Sequence, residues 1–90
     1  MKWFVYMLRC RDNSVYTGIT NNLNKRIEAH MSGNGSKYLR GRLPVKLIYK
    51  ENFLNRSDAS RREIEIKKFN KKQKELLITV SYTHLRAHET

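Results

Sequence analysis

The segment from Trp3 to Cys10 constrains the fold more than any other part of the chain. Trp3, Val5 and Met7 alternate with Phe4, Tyr6 and Leu8, so an extended backbone here is apolar on both faces. A strand of that kind must be covered above and below, and its expected place is the middle of a sheet. Ninety residues leave room for one domain built around it. Arg11-Asp12-Asn13-Ser14 is a turn cluster and Val15 to Thr20 a second β-rich run, so the two runs read as an antiparallel hairpin.

A helix is expected next. Thr20, Asn21 or Asn22 can cap it, and Leu23, Ile27 and Met31 recur at helical spacing. Ser32 to Ser36 is a loop, and Lys37 to Leu43 is short, basic and reads as one irregular turn. Val45, Leu47 and Tyr49 alternate with Lys46, Ile48 and Lys50 in a third strand. Asn55, Ser57 or Asp58 caps a long helix through Phe69, with Asn70 as its end, and Lys71 to Ile78 forms a short terminal helix. Residues 1–80 thus read as one domain. Ser81 to Thr90 lacks apolar periodicity and reads as a frayed or non-native tail. Its His84 and His88 lack the acidic residue of a zinc-protease motif, and chance spacing explains them.

Charge narrows the function classes. Nineteen Lys+Arg against eight Asp+Glu give a formal net charge of +11. Such a field attracts polyanions, and nucleic acid is the natural one. A membrane-surface role fits less well, because the basic helices lack a broad apolar face apart from the core. A single cysteine, Cys10, excludes an internal disulfide and a multi-thiolate zinc site. It suits a reducing compartment. The first apolar run is too short for a signal sequence or a bilayer span. The expectation is a soluble, cytoplasmic protein.

Candidate site residues emerge from helical geometry. On a wheel of about 100° per residue, with Leu23 at zero, Ile27 and Met31 fall at about 40° and about 80° and define the buried stripe. Arg26 and His30 fall on its shoulder, where Arg26 is either a snorkelling side chain or a guanidinium held for a phosphate. On the second long helix, Glu63 lies at the edge of the apolar face formed by Ala59, Ile66 and Phe69, while Glu65 reads as a solvated charge. A carboxylate at the edge of an apolar stripe needs a partner. The choices are an ion pair with Lys67 four residues on, or a hard divalent cation. Tyr6 and Tyr16 stand on the two arms of the hairpin, as amphipathic core residues or as walls of a polar cleft. Tyr38 sits among Lys37, Arg40 and Arg42, a pattern suited to a nucleic-acid backbone and an unstacked base, or to an ordinary basic loop. Residues 61–74 carry seven basic and two acidic side chains, and with Arg62, Lys67, Lys68 and Lys71 form a positive rail. Lys25 adds to the basic surface.

These residues together resemble a known family. Val5-Tyr6-Met7 followed by Tyr16-Thr17-Gly18 is similar to the two halves of the GIY-YIG nuclease signature. Arg26, His30 and Glu63 follow at the family's spacing, and the resemblance runs from about Trp3 to Ile78, closest to the small stand-alone bacterial proteins of the UPF0213 type. Val5, Met7 and Thr17 depart from the signature letters, and Ile19 stands where some repair members carry a Lys. The resemblance implies an α+β fold with a three-stranded antiparallel sheet flanked by helices, in accord with the strands read above. It also implies hydrolysis of a DNA phosphodiester with one Mg²⁺ or Mn²⁺, in repair or recombination, on single-stranded or branched DNA in preference to RNA. By position, Glu63 would hold the metal and Arg26 would stabilise charge on the phosphoryl group. Tyr6 and Tyr16 would position the attacking water, one of them as base, with His30 and Tyr38 in support, and Gly18 would let the backbone pass close to the site. The competing reading is a catalytically weak nucleic-acid-binding module on the same basic faces.

Overall fold

A computed structural model describes residues 2–89, with side chains described through Val80. The expectations for the 81–90 tail, including His84 and His88, fall on side chains outside the described residues. The chain runs β1 (Trp3–Cys10), β2 (Val15–Thr20), α1 (Leu23–Met31), α2 (Lys37–Arg40), β3 (Val45–Phe53), α3 (Arg56–Lys67) and α4 (Lys71–Glu89). The sheet is antiparallel with the order β2-β1-β3. The doubly apolar strand is therefore the central one. The fold is α+β with helices on the sheet, as expected.

Two half-cores form on the two faces of β1. Val5 and Met7 pack with Tyr49, Ala59 and Ile66, beneath α3 and α4. Tyr6, Leu8 and Cys10 pack with Leu39, beside Leu23 and Ile27 of α1. Val5, Met7 and Leu8 have no exposed surface, and fully burying a side chain of this kind stabilises by about 1.5–3 kcal/mol. One strand thus anchors both cores.

Strand β3 is less regular than its alternation suggests. Met7 pairs with Tyr49 but Leu8 pairs with Leu47, which leaves Ile48 as an extra residue in a bulge. Val45 consequently packs in the Tyr6–Leu8 cluster, whereas Tyr49 packs in the Val5–Met7 cluster. Strict alternation would have put both on one face.

Local chemistry sets the helix boundaries. Asn22 caps α1 by accepting from the Lys25 backbone N–H, and Asn55 caps α3 by accepting from that of Asp58. Helix α3 ends at Lys67, short of the expected Phe69. Asn70, expected to close α3, instead opens α4. Its side chain accepts from the Gln73 backbone N–H at 2.8 Å, and Gln73 accepts from the Asn70 backbone N–H at 2.9 Å. That reciprocal pair is a capping box. Helix α4 continues past Ile78 to Glu89. Glu75 fixes α4 to the sheet by accepting both terminal nitrogens of Arg9 at 2.6 Å, the two-pronged geometry that makes such pairs strong.

Candidate active site

Register places the first elements of the site. Tyr6 on β1 faces Gly18 on β2, and Leu8 faces Tyr16. The Tyr6 ring lies across the bare backbone of Gly18, where a Cβ would stand 2.6 Å from the Tyr6 hydroxyl. Only glycine leaves room for that ring. Tyr16 then sits beside Tyr6 with ring centroids 6.3 Å apart, and Tyr38 sits beside Tyr16 at 6.0 Å. The three tyrosines form a row from the buried Tyr6 through the half-buried Tyr16 to the exposed Tyr38. Arg42 covers Tyr38 with its guanidinium 4.0 Å from the ring centroid.

Helix α1 supplies His30 and Arg26, in a rotation that differs from the expected one. Met31 was expected in the buried stripe but is 46% exposed, whereas His30 is 1% exposed. The helix turns its His30 side inward because the sheet and the following loop offer that ring polar partners. Nε2 of His30 lies 2.9 Å from the Tyr6 hydroxyl. Nδ1 accepts from the Ser36 backbone N–H at 3.3 Å. Gly35 permits this approach, since a Cβ there would stand 2.1 Å from Nδ1. An Nδ1 that accepts a hydrogen bond leaves Nε2 to carry the proton of the neutral ring. The network therefore assigns His30 as donor and the Tyr6 oxygen as acceptor. Burial, reinforced by the charge of Arg26, holds His30 below its ordinary value of 6.5 and so neutral.

Tyr6 is the point at which the remaining groups converge. Burial pushes its hydroxyl up to about 12. Contact with Arg26 pulls it back, while neighbouring Tyr16 and the carboxylate of Glu63 push it further up. Arg26 from α1 and Glu63 from α3 thus act on one hydroxyl, although Ala59 and Ile66 seat α3 in the other half-core. Glu63 is mostly covered, with 18% of its side chain exposed, and pairs with Lys67 at 3.5 Å. The structure therefore brings together Tyr6, Tyr16, Gly18, His30, Arg26 and Glu63, with Tyr38 at the outer end of the tyrosine row.

The basic residues divide into committed and free. Arg62 pairs with Glu51 at 3.2 Å and with Glu65, so it pins α3 to β3. Glu65, expected to be a solvated charge, is one of its partners. Lys67 pairs with Glu63. Arg42 pairs with Asp12 at 3.0 Å, and Arg40 donates to the Gly33 carbonyl at 3.1 Å. Lys25, Lys37, Lys68 and Lys71 are exposed, with Lys71 facing the Glu75 carboxylate. Gly35, Ser36 and Arg56 escaped the sequence reading. The signal for the first two was the Gly33-Asn34-Gly35 loop placed just after a helix that ends near a histidine. Arg56 opens α3 and lines a cleft with Arg26; at a helix start it carried no sequence signal.

Among the described residues no group of three or more His, Cys, Asp or Glu could hold a metal ion. A small hard cation needs no such cage, since it keeps several waters and binds through one or two carboxylates plus substrate phosphates. Glu63 is the carboxylate that acts on Tyr6, and this donor set fits that habit. No helix is long and apolar enough to cross a membrane among the described residues.

Comparison with known proteins gives the family. A family model described as the GIY-YIG catalytic domain matches residues 2–76. UPF0213 protein CPE1444 of Clostridium perfringens is 57% identical over 76 residues, covering 84% of this chain and 82% of that protein. UPF0213 protein SH2523 of Staphylococcus haemolyticus is 51% identical over 73 residues, covering 81% and 89%. The solution NMR structure of UPF0213 protein BH0048 from Bacillus halodurans superposes with a TM-score of 0.59 at 41% identity, covering 89% of this chain and 85% of that one. That of protein EF2693 from E. faecalis gives 0.64 at 36% identity, covering 92% and 88%. A matched signature, a shared fold and close relatives over most of the length lead to one conclusion: the chain belongs to the GIY-YIG nuclease superfamily, among its UPF0213 proteins.

Proposed function

We propose that this protein hydrolyses DNA phosphodiesters with the help of one Mg²⁺ or Mn²⁺ ion, in repair or recombination. The observation that carries the reading is the Tyr6 hydroxyl, which lies 2.9 Å from His30 and feels both Arg26 and Glu63. Phosphoryl transfer needs charge stabilisation and alignment more than covalent participation by the protein. Arg26 meets the first need: its planar guanidinium matches the geometry of phosphate oxygens. Glu63 would hold the cation, which when bound polarises the phosphoryl oxygen and neutralises the leaving oxygen.

The tyrosines take different parts. With its hydroxyl pushed up to about 12, Tyr6 keeps its proton near neutrality. Its oxygen accepts from His30, so its own O–H is left to donate to the substrate or to the attacking water. Tyr16, closer to solvent, stands beside it and would hold the attacking water by a hydrogen bond from its hydroxyl. His30 and Ser36 hold Tyr6 in position.

The test is a cleavage assay with Mg²⁺ or Mn²⁺ on single-stranded, duplex and branched DNA. Cleavage is expected, and it should disappear with a chelator and with Glu63→Gln. If the wild-type protein cuts none of these, hydrolysis is excluded and a nucleic-acid-binding module remains.

A further inference from the structure

Two arginines stand apart from the rest. Arg9, Arg42, Arg61 and Arg62 are each paired with a carboxylate, and Arg11 and Arg40 donate to backbone carbonyls. Arg26 and Arg56 have neither kind of partner among the described residues. They line the same cleft, of about 290 Å³, with Trp3, Ile19, Thr20 and Asn21. No carboxylate lines it. Arg26 comes from α1 and Arg56 from the start of α3, on opposite faces of the sheet, so they meet where β1 begins and β2 ends.

Two like charges facing one small cleft that no carboxylate lines repel each other, and an anion entering it relieves that repulsion. Trp3 adds a second kind of chemistry. It is half-buried and packs partly against the Val5–Met7 core. The Arg56 guanidinium lies 5.7 Å from its ring centroid, at the loose end of the range for such contacts. Arg56 is therefore close to a flat aromatic surface without being locked to it. Planar guanidinium groups for a phosphate beside an indole for a flat ring are the complementary halves of one nucleotide.

We infer that this cleft binds the nucleotide next to the scissile phosphate, with Arg56 on its phosphate and Trp3 stacking on its base. The inference rests on the hydrolytic reading only in placing the scissile phosphate at Arg26. It also names the substrate class. A base inside a duplex has both faces covered by neighbours, so stacking on Trp3 requires an unpaired nucleotide, as in a single strand, a flap or a branch.

Trp3 is the only tryptophan in the chain, so its fluorescence reports on the cleft directly. The experiment titrates the protein with a short oligothymidylate in chelator, so that nothing is cut, and follows Trp3 emission together with the anisotropy of a labelled strand. Saturable quenching that tracks the anisotropy is expected. Arg56→Ala should weaken binding about tenfold and Arg56→Lys less, since a lysine keeps the charge but not the planar head. Arg61→Ala, which removes a charge of the same sign from an 80% exposed side chain on the same helix, should weaken it no more than about twofold. Trp3→Phe keeps a ring and should retain most of the affinity, with circular dichroism to check folding. Binding without a change in Trp3 emission, or equal losses from Arg56→Ala and Arg61→Ala, would overturn the inference. Quenching by a strand that the metal-loaded protein never cuts would instead sink the hydrolytic reading and leave this cleft standing. Cleavage with Trp3 silent would do the reverse.

Discussion

His30 and Ser36 are joined by a hydrogen bond of 3.3 Å from the Ser36 backbone N–H to Nδ1, and this bond decides what the opposite edge of the imidazole can offer Tyr6. With Nδ1 occupied as an acceptor, the ring presents an N–H to the Tyr6 oxygen for as long as it stays neutral. A doubly protonated ring would break the bond to Ser36, because Nδ1 would become a second donor facing a donor.

Acid should therefore destabilise the fold through His30. Its proton affinity in the native state is depressed by burial and by Arg26, so the unfolded chain takes up a proton that the folded chain refuses. The contribution is complete above the ordinary value of 6.5 and is lost as pH falls below it. Urea midpoints should decline between about pH 7 and about pH 5, with a slope of at most about 1.4 kcal/mol per pH unit from this one group. His30→Gln should flatten the decline. An unchanged decline would place its cause elsewhere.

Gly35 should tolerate no side chain, whereas Gly41 should. A Cβ at Gly35 would meet His30 Nδ1 at 2.1 Å, while one at Gly41 meets nothing within 4 Å. Gly35→Ala is expected to cost about 1–3 kcal/mol by overpacking, and Gly41→Ala to fall within about 0.5 kcal/mol of the wild type. Thermal melts of the two variants make the comparison. If cleavage is observed, Gly35→Ala should also slow it, because the ring that steadies Tyr6 has been moved.

Arg26→Ala and Glu63→Gln should separate chemistry from binding. Each is expected to reduce cleavage by at least about 10²-fold, the scale of losing one group that stabilises developing charge. Affinity for uncut DNA, measured in chelator, should change only a few-fold. Equal losses in both measurements would make Arg26 a binding residue alone.

Salt should distinguish the free basic residues from the committed ones. Lys37 is exposed, so Lys37→Ala should lower the slope of log affinity against log salt by about 1. Arg62 is spent on Glu51 and Glu65, and Arg62→Ala should reduce stability while leaving that slope nearly unchanged. A flat salt response in the wild type would remove the polyanion from the account.

How far the sequence could be read depended on whether the decisive contact was local. The place of β1 was legible because an alternating run apolar on both faces has only one comfortable position. Asn22 and Asn55 were each legible as one of three candidate caps because capping acts within three residues. The rotation of α1 was not, because Met31 and His30 are neighbours and the loop that seats His30 closes from outside the helix. The bulge at Ile48 was hidden by an alternation that continues through it. In the site, Arg26 and Glu63 were marked by their helix positions and Tyr6 by its place on the hairpin, and a resemblance carried by spacing gave them roles, while Arg56 had neither guide. Its position depends on two helices meeting around the end of a sheet.

The middle strand has a consequence for how such a protein can diversify. Tyr6 stands between Val5 and Met7, so any adjustment of the reacting centre from within β1 disturbs the cohesion of both halves of the molecule at once. Arg56 and Tyr38 carry no comparable burden, since each sits at an outer margin with solvent on one side. Relatives that act on different substrates are expected to differ at these margins while their shared interior stays unchanged.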